Sequence, residues 1–369
     1  MVSEIKPLQK ILFGSPGTGK SYQIRAIATE QLGIELDETT KTLSNTVKTV
    51  FHPEYTYADF MGKLLPQSQG GNIIYKFYPG HFLQILGKAY QGLMQDNGEH
   101  YLLVIDELNR GNASAIFGTV FQLLDREGDH WSSYEVDLSD LELMALFKQM
   151  GNTAKVSDQS ITIEHGTISQ DHKYFFNDKE QALHDFNPDG ARLAGLLKRS
   201  KISIPPNLSI LATINTSDES IYYLDSAFKR RWDWEYVEAP VSGIKLPDFI
   251  LPVRLVLDDN DDLNWSRCIV GINEFIRWNS QSIRRIEDKQ IGWWFIKPDN
   301  GKISLQQVKD KLMFYLWDNV FAKDRRPLEA VLAKELAPNF SGKLITFADF
   351  VKHTEVLMRY FEDEDNIPF

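Results

Sequence analysis

The chain has 369 residues, 43% of them hydrophobic, and a formal charge of −11 at pH 7. That length supports one large domain or two medium ones around a buried core, and the acidic balance excludes a whole-surface nucleic-acid binder while leaving room for a local basic channel. A single cysteine, Cys268, excludes an intramolecular disulfide; no early stretch reads as a signal peptide and no apolar run approaches the roughly 20 residues of a membrane span, so a cytoplasmic protein without a membrane role is expected.

In chain order, apolar and β-branched runs predict strands at Lys10–Phe13, Thr46–His52, Leu102–Ile105, Leu208–Thr213 and Trp234–Val237. Longer helical patterns separate them, the signature of an α/β fold with a parallel sheet sandwiched by helices. Between Trp131 and Ile204 the pattern degrades into short pieces punctuated by Gly166 and an expected turn at Asn187-Pro188-Asp189-Gly190, and this stretch reads as an insertion. After Pro240 the character changes. Pro247 and Pro252 interrupt the chain, and helical patterns follow at Leu305–Phe321, Leu328–Leu336 and Phe347–Phe361. The expected organisation is therefore an α/β nucleotide-binding domain over 1–240, with its insertion at 131–204, and a smaller helical domain over 241–369.

The chemistry begins directly after the first strand. Gly14-Ser15-Pro16-Gly17-Thr18-Gly19-Lys20-Ser21 is a G-x-x-x-x-G-K-[ST] phosphate loop, with a helical pattern following through Gln31. Its glycines let backbone N–H groups turn around phosphates, Lys20 neutralises β/γ charge and the Ser21 hydroxyl suits Mg2+; the helix N-terminus adds its dipole. The run Leu102–Ile105 ends in Asp106-Glu107. Asp106 is expected to hold the Mg2+ shell and Glu107 to polarise the attacking water as a general base. The run Leu208–Thr213 leads through Ile214 to Asn215, a polar amide suited to the lytic water or the γ-phosphate. Further on, Arg230 and Arg231 close a short helix, from which arginines can reach across a subunit boundary to a transferring phosphate.

Together these residues resemble a known family. Ile105-Asp106-Glu107-Leu108-Asn109-Arg110-Gly111-Asn112, Ile116-Phe117-Gly118, Asn215-Thr216-Ser217-Asp218 and Ala227-Phe228-Lys229-Arg230-Arg231-Trp232 are similar to the corresponding segments of McrB proteins, AAA+ P-loop motor subunits of modification-dependent restriction systems. The likeness spans most of Ile11–Val237 and extends less specifically to Gln290-Ile291-Gly292-Trp293 and Val308–Asp324. The resemblance implies a hexameric motor that hydrolyses GTP, or ATP, with Mg2+, is stimulated by a McrC-like nuclease partner and drives DNA translocation in restriction or phage defence. It implies that Asn109 and Arg110 lie near the subunit boundary and couple the partner to hydrolysis. Asn215–Asp218 is similar to the guanine-reading N-K-x-D of small GTPases, but Thr216 replaces the lysine and leaves the base open. The chain starts nine residues before its first predicted strand residue, so target recognition is expected elsewhere. The insertion is expected to grip DNA or a partner, or to decorate the surface. Two other readings stay open: a MoxR-like protein remodeller, and a nucleotide-gated assembly scaffold.

Other constellations are weaker. The eight histidines form no H-x3-H or H-E-x-x-H pair, which argues against a zinc site. Asp258–Asp262 lacks the glycine and distal glutamate of a calcium loop and reads as a solvated turn. Lys198–Lys201, Lys229–Arg231, Arg284-Arg285 and Arg325-Arg326 read as solvated basic faces, Trp293-Trp294-Phe295 reads as core, and Arg284, Arg285 and Lys289 are candidates for a second phosphate sensor.

Overall fold

The computed structural model describes residues 5–156, 160–165, 168–217, 222–242, 254–257, 262–340 and 342–366. Gly166, Asp218, Pro247, Pro252 and all of the acidic run except Asp262 lie outside the described residues.

Each of the five predicted strands forms, and together they make one sheet: β1 (Gln9–Gly14), β2 (Thr46–Val50), β3 (Tyr101–Asp106), β4 (Leu208–Asn215) and β5 (Asp233–Tyr236). Their spatial order is β5-β1-β4-β3-β2. β3 pairs in parallel with β4 (Ile105 opposite Ala212) and with β2 (Asp106 opposite Val50). The two central strands bury every residue before their last, as continuous apolar runs covered on both faces require. The edge strands β2 and β5 are half exposed. Successive strands after β1 are laid from the far edge back towards it and then beyond, so the winding reverses between β1 and β4. In open α/β sheets that switch point, outside the carboxyl ends of the strands, is where ligands bind. The fold is α/β, with the glycine-rich Gly14–Ser21 loop directly after β1.

By packing the chain divides into two compact units, one of Met1–Leu12, Ser21–Ile214 and Ser220–Glu235, the other of Phe13–Lys20, Asn215–Glu219 and Tyr236–Phe369. In the first unit, α1 (Lys20–Ala26) leaves the phosphate loop and α2 (His81–Gln95) packs Phe82, Leu83, Ile85, Leu86, Ala89 and Tyr90 inward. A two-stranded hairpin, Gly62–Gln69 with Asn72–Pro79, precedes α2 and was not anticipated from sequence. The stretch Trp131–Ile204 is part of this unit's packed body. It contains α3 (Asp140–Gln149), a three-stranded antiparallel sheet, a helix over His172–Leu183 and α4 (Pro188–Lys198). Trp131 is fully buried and its Nε1 donates to Asp189 at 2.8 Å, while the Tyr90 hydroxyl of α2 donates to the Ser203 carbonyl at 2.6 Å. The expected turn at Asn187–Gly190 is instead the start of α4. Asn187 accepts from the Gly190 N–H at 2.8 Å and Pro188 occupies the first turn, where its missing N–H costs nothing.

The second unit has its own core, in which α5 (Trp265–Trp278) packs Phe275 against the tilted rings of Phe361 and Phe321. The helical pattern over Leu305–Phe321 folds as an α-turn followed by wider π-type turns. Phe347–Phe361 is two helices, Phe347–Val351 and Thr354–Glu362, and the Thr354 hydroxyl donates back to the Val351 carbonyl at 2.5 Å where they meet. Trp293 is buried in this core, with Trp294 and Phe295 packed against it. Cys268 is buried too, and that burial pushes its thiol up, out of reactive range.

Candidate nucleotide site

The phosphate loop is shaped by its own backbone and by its neighbours in the second unit. Gly17 has φ +77° and Gly19 φ +92°, left-handed conformations that only glycine adopts without strain. Lys20 is buried, and its Nζ donates to the carbonyls of Gly14 (2.9 Å) and Ser15 (2.8 Å), so the ammonium is held inside the turn. Thr18 closes the turn with a hydroxyl bond to the Ser15 carbonyl at 3.0 Å, and the Ser15 hydroxyl donates to the Glu287 carbonyl. Asn215 ends β4 and Thr216 donates its N–H to the Gly14 carbonyl at 3.2 Å, which places the end of β4 beside the start of the loop. Ser21, the second residue of α1, is exposed.

The acidic pair is shaped by side chains. Asp106 is the last residue of β3. Its Oδ1 accepts from the Thr213 hydroxyl at 3.0 Å and its Oδ2 meets Lys48 Nζ at 2.6 Å. The Thr213 oxygen in turn accepts the Glu107 N–H at 3.2 Å, so one hydroxyl on β4 orients both acidic residues. Glu107 has φ +55°, a left-handed conformation uncommon for a residue with a Cβ. Such strain persists where surrounding contacts enforce it and is a frequent mark of functional positions. Arg110 follows one short turn later, with Nε 3.7 Å from Glu107 Oε2. Asn109 is buried, and its carbonyl accepts the Tyr222 N–H at 2.7 Å.

Thr213 and Lys48 were not singled out from sequence. Lys48 carried a signal, since it is the only charge in a strand of valines and threonines. Thr213 carried none until the register of β4 against β3 was known.

The remaining family-like segments converge in one aromatic cluster of the first unit. Phe228 lies 5.5 Å from Phe117, 5.7 Å from Phe121 and 5.8 Å from Trp232, ring centre to ring centre. Asp225 caps the short helix Ser226–Lys229 by accepting the Phe228 N–H at 2.7 Å and also meets the Ser114 hydroxyl at 3.4 Å. The two adjacent arginines part company here. The Arg231 side chain is only 9% exposed; it pairs with Asp125 at 2.5 Å, donates to the Ala227 carbonyl and lies 4.2 Å from the Phe121 ring centre. Arg230 is exposed. Among the described residues no group of three or more His, Cys, Asp or Glu side chains is gathered for a metal, and no helix is long and apolar enough to cross a membrane.

No protein-family model matches the chain. Among curated proteins it is similar to the type II restriction enzyme BsuMI component YdiS of Bacillus subtilis, 26% identical over 338 residues, which are 85% of this chain and 80% of that protein. It is also similar to the type IV methyl-directed restriction enzyme EcoKMcrB subunit of Escherichia coli, 25% identical over 243 residues, 65% of this chain but 38% of that subunit. Solved structures that resemble it include a Cytophaga hutchinsonii protein assigned as an ATPase (13% identity, 97% of this chain and 74% of that chain, TM-score 0.27). Another is Caenorhabditis elegans PCH-2 (12% identity, 96% of this chain and 62% of that chain, TM-score 0.24). Neither structural likeness is strong enough to weigh in the assignment.

Proposed function

We propose that this chain, an McrB-like AAA+ protein, is the nucleotide-hydrolysing motor subunit of a restriction or phage-defence complex, with GTP favoured and ATP the alternative substrate. The observation that carries the reading is topological: the phosphate loop, the Asp106-Glu107 pair and Asn215 leave the carboxyl ends of β1, β3 and β4, neighbours at the switch point of one parallel sheet.

In this reading the backbone of Gly14–Gly19 cradles the phosphates and Lys20 leaves the Gly14 and Ser15 carbonyls for the β/γ oxygens. Mg2+ needs few protein ligands when phosphate and water supply the rest, and Ser21 and Asp106 would hold it. A cation already suits Asp106, since the Lys48 ammonium pairs with it at 2.6 Å from a half-exposed side chain. The ion supplies charge neutralisation on the phosphates. Glu107 polarises the attacking water and Asn215 holds it, with Thr213 fixing the Asp106 carboxylate and the Glu107 backbone. Arg230, exposed at the end of its helix, serves as the finger in a neighbouring subunit's site, with Arg231 fixing the helix that carries it. Asn109 and Arg110 couple a McrC-like nuclease partner to hydrolysis, the assembly is a hexamer acting on DNA, and residues 241–369 form the lid domain.

Steady-state hydrolysis of GTP and ATP by the purified protein, side by side and with Glu107→Gln as control, tests this. Turnover that Glu107→Gln removes, with GTP preferred, is the expected result. Turnover of neither nucleotide overturns the enzyme reading, and ATP preference without any DNA response favours a protein remodeller.

A further inference from the structure

One fully buried amide in the second unit stands in an unusual position. Asn273, on α5, is 0% exposed, and its side chain makes three hydrogen bonds. Nδ2 donates to the carbonyls of Pro240 (2.7 Å) and Ile291 (2.8 Å), and Oδ1 accepts the Ile291 N–H at 2.9 Å. Ile291 is thus gripped by both its backbone groups. Directly beyond it, the Gly292 N–H donates to the Pro16 carbonyl at 2.9 Å and the Trp294 N–H to the Gly17 carbonyl at 2.9 Å. The approach is so close that a Cβ on Gly292 would overlap the backbone of Gly17 and Thr18, and one on Gly17 would overlap that of Phe295.

The peptide plane converts this contact into aim. In a trans peptide the C=O of one residue and the N–H of the next point in opposite directions and turn together. Holding the Pro16 and Gly17 carbonyls towards residues 292–294 therefore directs the N–H groups of Gly17 and Thr18 to the opposite side of the loop, as a phosphate cradle requires. We propose that Asn273 is a positioning residue of the nucleotide site, which through Ile291, Gly292 and Trp294 sets the shape of the phosphate loop. The proposal rests on the nucleotide reading above. It makes the 290–295 segment a strap, held to α5 by the Asn273 side chain and to the loop by backbone bonds, so that a movement of α5 and a change in phosphate affinity are one event.

The test is titration of Asn273→Ala with fluorescent N-methylanthraniloyl GTP and ATP plus Mg2+, alongside its thermal midpoint without nucleotide. The proposal expects the dissociation constant to rise at least tenfold, with the turnover number at saturation falling less than threefold. A lower midpoint with unchanged affinity would mean a structural residue only and overturns it. Lys20→Ala separates the two readings, since loss of binding there with none in Asn273→Ala sinks the strap alone, and full binding by Lys20→Ala sinks the nucleotide site itself. Should Asn273→Ala fail to fold, hydrogen exchange on the wild-type chain decides. The Gly292 and Trp294 amides should exchange slowly and slow at least a further tenfold with bound Mg2+-nucleotide, whereas exchange at the rate of an exposed loop, or no response, overturns the proposal.

Discussion

The phosphate loop and the acidic strand end are built by opposite means. Gly14–Ser21 takes its form around main-chain groups, through left-handed glycines, carbonyls that accept the Lys20 ammonium, and the main-chain bonds of Gly292 and Trp294. Asp106-Glu107 takes its form from side chains on other strands, the Thr213 hydroxyl on β4 and the Lys48 ammonium on β2. A site made of backbone imposes residue type locally and so writes a contiguous motif. One made of side chains leaves only two acidic letters and scatters the rest.

The comparison breaks most readily at the loop. Lys20→Ala should lower nucleotide affinity by at least about 100-fold, since the lost group is the one full positive charge in the loop and charge-assisted bonds to phosphate are the strong ones. Isothermal titration checks this, and near-normal affinity would mean the loop is not the phosphate site. Glu107→Gln should do the reverse, leaving affinity within about threefold while turnover falls by about 100-fold or more, because the amide cannot accept the water's proton. If affinity and turnover fall together, the acidic pair shapes the binding site and is not a separate catalytic element.

The arginines sharpen the contrast between a group that acts outward and one that holds the fold. Arg230→Ala should reduce turnover by about 10-fold or more with no change in thermal midpoint, and mixing it with Glu107→Gln subunits should restore some activity. Arg231→Ala should instead cost roughly 2 kcal/mol of stability, through loss of the Asp125 pair, the bond to Ala227 and the contact with Phe121. Equal thermal midpoints for the two variants would erase the distinction. Thr213→Val is milder, because it keeps the shape and removes the hydroxyl that orients both acidic residues. Turnover down by about 10-fold with affinity preserved is expected, and unchanged turnover would reduce Thr213 to a packing residue.

These cases show what was legible in the sequence and what was not. All five sheet strands and the phosphate loop could be read because strand burial and loop geometry act on consecutive residues. The different fates of Arg230 and Arg231 could not, since neighbours on a short helix end are separated only by which of them meets Asp125 and Phe121 across the fold. Thr213 needed the pairing register. The hairpin over Gly62–Pro79 escaped because its outward-facing strands, with Ile73 and Tyr75 exposed, lack the alternation that marks a half-buried strand. Asn187-Pro188-Asp189-Gly190 has the composition of a turn, and the same residues make a helix start when an apolar face follows them, as Leu193, Leu196 and Leu197 do. Asn273 reads as any polar residue in a helix, and only its three hydrogen bonds to Pro240 and Ile291 set it apart.

The opposite end of the sheet supplies the smallest and cleanest test, because it carries stability and no proposed chemistry. His100 precedes β3, is buried, and shares a hydrogen bond of 3.0 Å with Ser209 at the start of β4. Burial, with the nearby Arg126 charge adding to it, pushes its pKa down from the usual 6.5 to about 4. In the unfolded chain the imidazole takes a proton near pH 6.5, whereas in the folded chain it stays neutral until about pH 4. The unfolded state therefore binds more protons across that window, and linkage requires stability to fall as pH drops from about 6.5 to about 4 and this contribution to level off below. His100→Gln retains a hydrogen-bonding group for Ser209 and removes the titration, so its denaturant-unfolding free energy should vary less with pH over that window than the wild type's. Nucleotide affinity at pH 7.5 should not change. Parallel pH profiles for the two proteins would mean that His100 is not held neutral by burial, and lost affinity would mean that the two ends of the sheet are not separable as structural and functional regions.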